Sequence, residues 1–200
     1  MLTKTQIRIM EVFTANITER YSIKQVSDTL KKPYPLVHRS IKSLLKDGFL
    51  MKDKHGYLSL EYRKNHSSLA FIESIRRDNL LRKRSTLKLL LDDILKGLKN
   101  EFYILLVFGS TVEDKKKAND IDLLMIVDNP NRVEFMEKFL IRVTGMYPDA
   151  KFDIGVIAIE SVYEMLGRRE QLNVMNETLN KHIILFGAES YYRLIKHARQ

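Results

Sequence analysis

The chain has 200 residues, 44% of them hydrophobic, with no cysteine and a formal net charge of +9. That length allows one medium domain or two small ones. The missing cysteines exclude disulfides and thiolate metal sites. No apolar run approaches the roughly 20 residues that a membrane-spanning helix needs, and Met1-Leu2-Thr3-Lys4 lacks the apolar core of a signal peptide. A cytoplasmic protein without membrane contact is the expectation.

The charge is unevenly placed. Residues 1–100 carry 21 Lys/Arg against 10 Asp/Glu, a net +11, and residues 101–200 carry 13 against 15, a net −2. Basic surface attracts polyanions through counterion release, whatever their sequence. A basic half joined to a slightly acidic half suggests two tasks.

In residues 2–17, Ile9, Met10, Phe13 and Ile17 repeat at helical spacing, edged by Ile7 and Val12. Ser22 is placed to cap a second helix, Ile23–Leu30, with Val26 and Leu30 inward. Lys31-Lys32-Pro33 breaks it. A third helix, Tyr34–Lys46, has Leu36/Val37, Ile41 and Leu44/Leu45 as its inner face. Tyr34, His38, Arg39, Lys42 and Lys46 form its outer face. Phe49–Lys52 and Tyr57–Leu60 read as two strands about a turn at Lys54-His55-Gly56.

Residues 63–86 read as a basic helical linker, with Arg76, Arg77, Arg82, Lys83 and Arg84 near its end. Ser67 and Ser85 are plausible caps, so the stretch up to residue 100 divides into two helices. Leu87, Leu90, Leu91, Ile94, Leu95 and Leu98 form an apolar stripe that packs on its own domain or on a second copy. From residue 101 the period changes. Phe102–Phe108, Ile121–Val127 and Phe152–Ile159 are near-continuous apolar runs, as buried strands are. Between the last two lies a helix with Asn131 as cap, Glu134 completing a capping box, and Val133, Met136, Phe139, Leu140 and Val143 inward, ended by Gly145. A short helix to about Leu166, a strand His182–Phe186 and a helix Glu189–His197 follow.

The chemistry is concentrated between the first two of these strands. The first ends in Gly109-Ser110, nine residues follow, and Asp120 and Asp122 open the next strand. Side chains at i and i+2 of a strand share one face. Two carboxylates so close are unfavourable unless a cation neutralises them, and their oxygens suit Mg²⁺ with substrate phosphates as further ligands. Gly109 lets backbone approach a ligand closely, and the turn after it presents N–H groups, with the Ser110 hydroxyl, to a phosphate. Asp153, in the third strand, joins Asp120 and Asp122 if that strand neighbours the second in register. It then serves as a third acid and as general base.

The order helix, helix, helix, hairpin in residues 1–62, with SLLKDGFL leaving the third helix, resembles a winged helix-turn-helix domain. That resemblance implies duplex DNA binding through Tyr34, His38, Arg39 and Lys42 on the third helix and Lys54 in the wing. The stretch FGSTVEDKKKANDIDLLMIV resembles the polymerase-beta-type nucleotidyltransferase superfamily, and most closely its minimal branch. The implied fold for 87–200 is α/β, a small mixed sheet flanked by helices, preceded by the winged-helix α+β domain of 1–62.

The resemblance implies transfer of a nucleoside monophosphate from an NTP to a protein or small-molecule acceptor, with two Mg²⁺ ions. Asp120, Asp122 and Asp153 then hold the metals, and Gly109, Ser110 and Lys117 bind the nucleotide. Minimal members commonly act as antitoxins that modify a partner toxin and regulate their own promoter. The chain departs from the usual pattern after Gly-Ser, where Thr111-Val112-Glu113-Asp114 stands in place of Arg and Gly. The alternative is a DNA-binding regulator whose second domain is a non-catalytic ligand sensor or dimerisation module.

Overall fold

The computed structural model describes residues 2–112, 120–168, 171 and 173–199. Lys117 lies outside the described residues, as do Glu113-Asp114 and the other two lysines of that run.

Three helices open the chain: α1 (Lys4–Ala15), α2 (Ile23–Leu30) and α3 (Tyr34–Lys46). Both α1 and α2 start at capping boxes. Thr3 and Gln6 exchange side-chain hydrogen bonds at the first, Ser22 and Gln25 at the second. Lys31 stops α2 in the left-handed region, at φ 50°, and Pro33 leads into α3 without a side-chain cap. Val37, Ile41 and Leu44 are buried as expected, whereas Leu36 stands 41% exposed. A two-residue apolar pair cannot fit wholly on one narrow stripe of a helix, because successive side chains are about 100° apart.

Strands β1 (Leu50–Lys52) and β2 (Leu58–Leu60) form an antiparallel pair. Their turn is organised by Asp53, whose Oδ1 accepts from the amides of His55 and Tyr57, both at 2.9 Å.

Helix α4 (His66–Lys83) is followed directly by α5 (Ser85–Gly97). The break at Arg84 is the division expected there, with Ser85 as the first helical residue rather than the cap. The stretch read as a linker thus holds a helix with a buried face: Leu69, Ile72, Glu73, Arg76 and Leu80. That face packs against α1 on one side and against β6 (His182–Phe186) and α9 (Ala188–Ala198) on the other.

The second half is an α/β unit around a mixed four-stranded sheet. Its strand order is β5 (Lys151–Ala158), β4 (Asp120–Val127), β3 (Tyr103–Phe108), β6. The pairs β3–β4 and β3–β6 are antiparallel, and β4–β5 is parallel. A parallel neighbour needs a crossover, which α6 (Val133–Thr144) supplies. Asn131 does not cap α6. Asn129 accepts from the Asn131 amide and starts a 3₁₀ turn at Pro130–Arg132, from which α6 grows. Proline at the head of that turn fixes φ, so the Asx cap falls two residues earlier than the helical period suggests. Helices α7 (Ile159–Gly167) and α8 (Val174–Thr178) precede β6.

Period-2 alternation sends the sheet's side chains to two cores. Leu105, Val107, Leu123 and Met125 join the α5 stripe and α6. Ile104, Leu106, Leu124 and Ile126 join the other core, which is continuous with Ile9, Phe13, Ile41 and Ile72 of the first half. The halves are also stitched by backbone. The Lys181 amide donates to the Ala15 carbonyl at 2.8 Å and the Ile17 amide to that of Leu179 at 3.0 Å.

Candidate functional site

Asp120 and Asp122 open β4 on the same face as Leu124 and Ile126, at the end of the strand where the apolar cover stops. Across the parallel pair Asp122 stands in register with Asp153, and Asp120 with Lys151. The expected neighbour relation of the three aspartates is therefore present, with Asp120 and Asp122 half-buried and Asp153 exposed. Asp122 is also the antiparallel partner of Phe108, the residue before Gly109.

Gly109 begins a 3₁₀ turn, Gly109–Thr111, at φ +66°. A Cβ there would lie 2.3 Å from Asp122 Oδ2. The turn thus packs its bare Cα directly on the carboxylate, and a side chain at this position would push Asp122 aside. Thr111 is buried and its hydroxyl donates to the Asp120 carbonyl at 3.0 Å, fastening the turn to the start of β4. The Ser110 side chain is exposed beside it.

The electrostatics are those of crowded like charges. Burial first, then the charges of Asp153, Asp120 and Glu177, push the Asp122 carboxyl above its ordinary range. Lys151 relieves part of this. Its ammonium donates to Asp120 Oδ2 at 2.8 Å, and that hydrogen bond and charge raise the lysine above its usual value. The other oxygen of Asp120, Oδ1, is buried without a hydrogen-bond partner among the described residues.

Among the described residues no three His, Asp or Glu side chains converge as a ready metal cage. The donor chemistry nonetheless fits a hard cation: an orphaned carboxylate oxygen beside a carboxyl destabilised by its neighbours. Asp120, Asp122 and Asp153 are the residues able to hold it.

Glu177 and Asn176, on α8, were not singled out from the sequence. With Phe108, Gly109, Asn180 and Lys181 they line a cleft of about 390 Å³ beside the Gly-Ser turn. Helix α8 spans five residues, and its signal is only the Asn173 cap, which accepts from the Asn176 amide. Behind the turn lies a buried polar cluster that was also missed. Glu73 takes two 2.8 Å hydrogen bonds from Arg76 Nη1 and one of 2.9 Å from the Tyr192 hydroxyl. Arg76 Nη2 also donates to the carbonyl of His182, the register partner of Phe108. Burial, and then the Arg76 charge, hold His182 well below the usual histidine value.

The outer face of α3 lies far from these carboxylates in the chain and carries its own group. Tyr34, His38, Arg39 and Lys42 are exposed together, with the Tyr34 and His38 rings stacked 6.0 Å apart. Lys54 is exposed at the hairpin turn.

Compared with protein-family models, with curated proteins and with solved structures, the chain matches none of them at a significant level. Among the described residues no helix is long and apolar enough to cross a membrane.

Proposed function

We propose that the chain is a metal-dependent nucleotidyltransferase of the polymerase-beta type, carried on a winged helix-turn-helix that binds duplex DNA. The observation that carries this reading is the Gly109 turn seated on the Asp122 carboxylate, with Asp153 in register behind it. A turn with an exposed hydroxyl, fixed against a carboxylate set, brings a triphosphate and its cation to one place. In the proposed reaction an acceptor hydroxyl attacks the α-phosphorus of an NTP. A new P–O bond forms, the α–β bond breaks, pyrophosphate leaves, and Asp153 takes the hydroxyl proton. Two Mg²⁺ ions held by Asp120, Asp122 and Asp153 would supply charge neutralisation at the phosphates. Ser110 orients the triphosphate, and Lys117 is assigned with it. A toxin-like protein acceptor and a homodimer belong to the same reading.

Labelled NTPs with Mg²⁺ test it. Nucleotide binding that needs the metal and disappears in Asp122→Ala supports transfer chemistry. Binding indifferent to both removes it.

A second reading has its own support. Lys151 already occupies one oxygen of Asp120, and Glu113-Asp114 follow the turn in sequence. Both favour a DNA-binding regulator whose α/β unit senses a ligand without transferring it. Duplex binding that weakens with salt and in Arg39→Ala/Lys42→Ala, beside nucleotide binding without turnover, selects it.

A further inference from the structure

The clefts outside the carboxylate site form a series. One of about 680 Å³ lies between α1 and the end of α2 and includes Lys4, Arg8 and Lys32. The next, of about 340 Å³, is bounded by α1, α4 and the Gly-Ser turn, and includes Arg8, Lys83, Arg84 and Thr111. A third, of about 290 Å³, holds Lys83, Arg84 and Lys151 beside Ile121. Neighbouring clefts share residues: Arg8, Glu11 and Asn79 line the first two, and Lys83 and Arg84 the last two. The series therefore reads as one seam, from the helical first half to the start of β4.

The charge along it is mainly basic, with Glu11 in the first two clefts and Asp149 in the third as its acids. Lys4, Arg8, Lys32 and Lys83 are exposed and Arg84 is half-buried. Arg8 pairs with Glu11 at 3.1 Å with 63% of its side chain exposed, a pairing that costs little to break. Arg76, which also lines the middle cleft, is neutralised by Glu73 and contributes shape rather than charge. The seam ends where Thr111 holds the Asp120 carbonyl and Lys151 its carboxylate. Between the cations lie the half-buried Ile7 and Leu30, apolar surfaces for unstacked bases.

We infer that this seam binds a single-stranded nucleic acid. A cationic track with apolar steps follows a flexible phosphodiester chain. A duplex is a rigid cylinder with its phosphates outside and does not enter clefts of this size.

The test uses the full chain and fluorescein-labelled oligonucleotides of mixed sequence: single-stranded RNA, single-stranded DNA and a duplex. Anisotropy is read across a salt series in EDTA, without triphosphate. Both single strands bind, and affinity falls about tenfold in Arg8→Gln/Arg84→Gln, with the slope of log K against log salt shallower by about 1.4, from two lost phosphate contacts. Lys4→Gln/Lys32→Gln, on exposed side chains, weakens the strand in the same direction and keeps the test open if the first pair folds poorly. Tighter binding of RNA than DNA, or the reverse, supports the seam and identifies the sugar it prefers.

Strand affinity equal to wild type in both seam variants overturns the inference, as does a duplex displaced by the same seam changes as the single strand. Because metal and nucleotide are absent, such a failure leaves the Asp122 site standing. Strand binding that persists while nucleotide binding is insensitive to Asp122→Ala removes the transfer reading and leaves the seam.

Discussion

Gly109→Ala separates backbone strain from damage to the carboxylate site, because Gly48 provides a matched control. The two glycines have almost the same φ, +66° at Gly109 and +70° at Gly48, but a Cβ on Gly48 meets nothing within 4 Å while one on Gly109 lies 2.3 Å from Asp122 Oδ2. Left-handed backbone costs a side-chain-bearing residue about 1–2 kcal/mol, and alanine returns roughly 0.4–1 kcal/mol by restricting the unfolded chain. Gly48→Ala is therefore worth about 1 kcal/mol, or a Tm lower by about 2–4 °C for a chain of this size.

Gly109→Ala carries the same backbone term. It also carries an overlap of about 1–3 kcal/mol, unless Asp122 swings away. Either way the carboxylate leaves its place against Asp153. Thermal melts of the two variants, with titration of a nucleotide in Mg²⁺, read both effects. Gly48→Ala keeps the wild-type Kd, and Gly109→Ala weakens it by about tenfold or more, the loss of one charge-assisted contact. Equal melting points and equal Kd values for the two variants would refute the claim that Gly109 exists to seat the turn on Asp122.

Asp122→Asn is expected to raise the melting point in EDTA, because it removes the carboxyl that burial and the Asp153 and Asp120 charges destabilise, while abolishing any rise on adding Mg²⁺; a lower melting point in EDTA contradicts this. His182, buried and held neutral, binds fewer protons folded than unfolded below its ordinary value near 6.5, so stability falls with pH there, by at most about 1.4 kcal/mol per unit. The Glu73 carboxyl, raised by burial, has the opposite sign, so the informative quantity is the difference between wild type and His182→Leu in urea melts from pH 7.5 downward. Identical slopes for the two proteins rule the histidine out. Arg76→Met strands the fully buried Glu73 and is expected to lose about 3–5 kcal/mol, whereas Glu73→Leu/Arg76→Met recovers most of it; a single variant within about 1 kcal/mol of wild type would show that the pair is not a buried charge pair in solution.

The sequence made the carboxylate site legible because its parts are local. A buried strand ending in Gly-Ser, a spacing and an i, i+2 pair of aspartates need no knowledge of the rest of the chain. The position of Asp153 required one long-range fact, the parallel pairing of β4 and β5, which the apolar runs and the intervening helix implied. Helix α8 gave almost no signal, since five residues carry barely more than one helical turn. With it went Glu177. The buried face of α4 was hidden for a different reason. It mixes Glu73 and Arg76 with Leu69, Ile72 and Leu80, so hydrophobic periodicity failed where a charge pair replaces apolar packing. A basic stretch with weak periodicity reads as a spacer, and only the tertiary contacts reveal a helix buried between two others.

Helix α4 also makes the two halves energetically inseparable. Leu69 and Ile72 belong to the same core as Ile9 and Phe13 of α1 and as Ile104 and Leu106 of the sheet. From the same helix Arg76 holds the His182 carbonyl, and His182 faces Phe108 across the sheet, one residue before the glycine that seats on Asp122. A displacement of α4 against β6 therefore has to disturb the height of the Gly109 turn. Close-packed interiors pass such displacements on rather than absorb them. If duplex DNA on α3 shifts α1 and α4 at all, nucleotide affinity must change, and by linkage nucleotide must change DNA affinity by the same factor. Duplex titrations with and without nucleotide measure that factor, and Glu73→Leu/Arg76→Met, which cuts the link to His182 while filling the space, should bring it toward one.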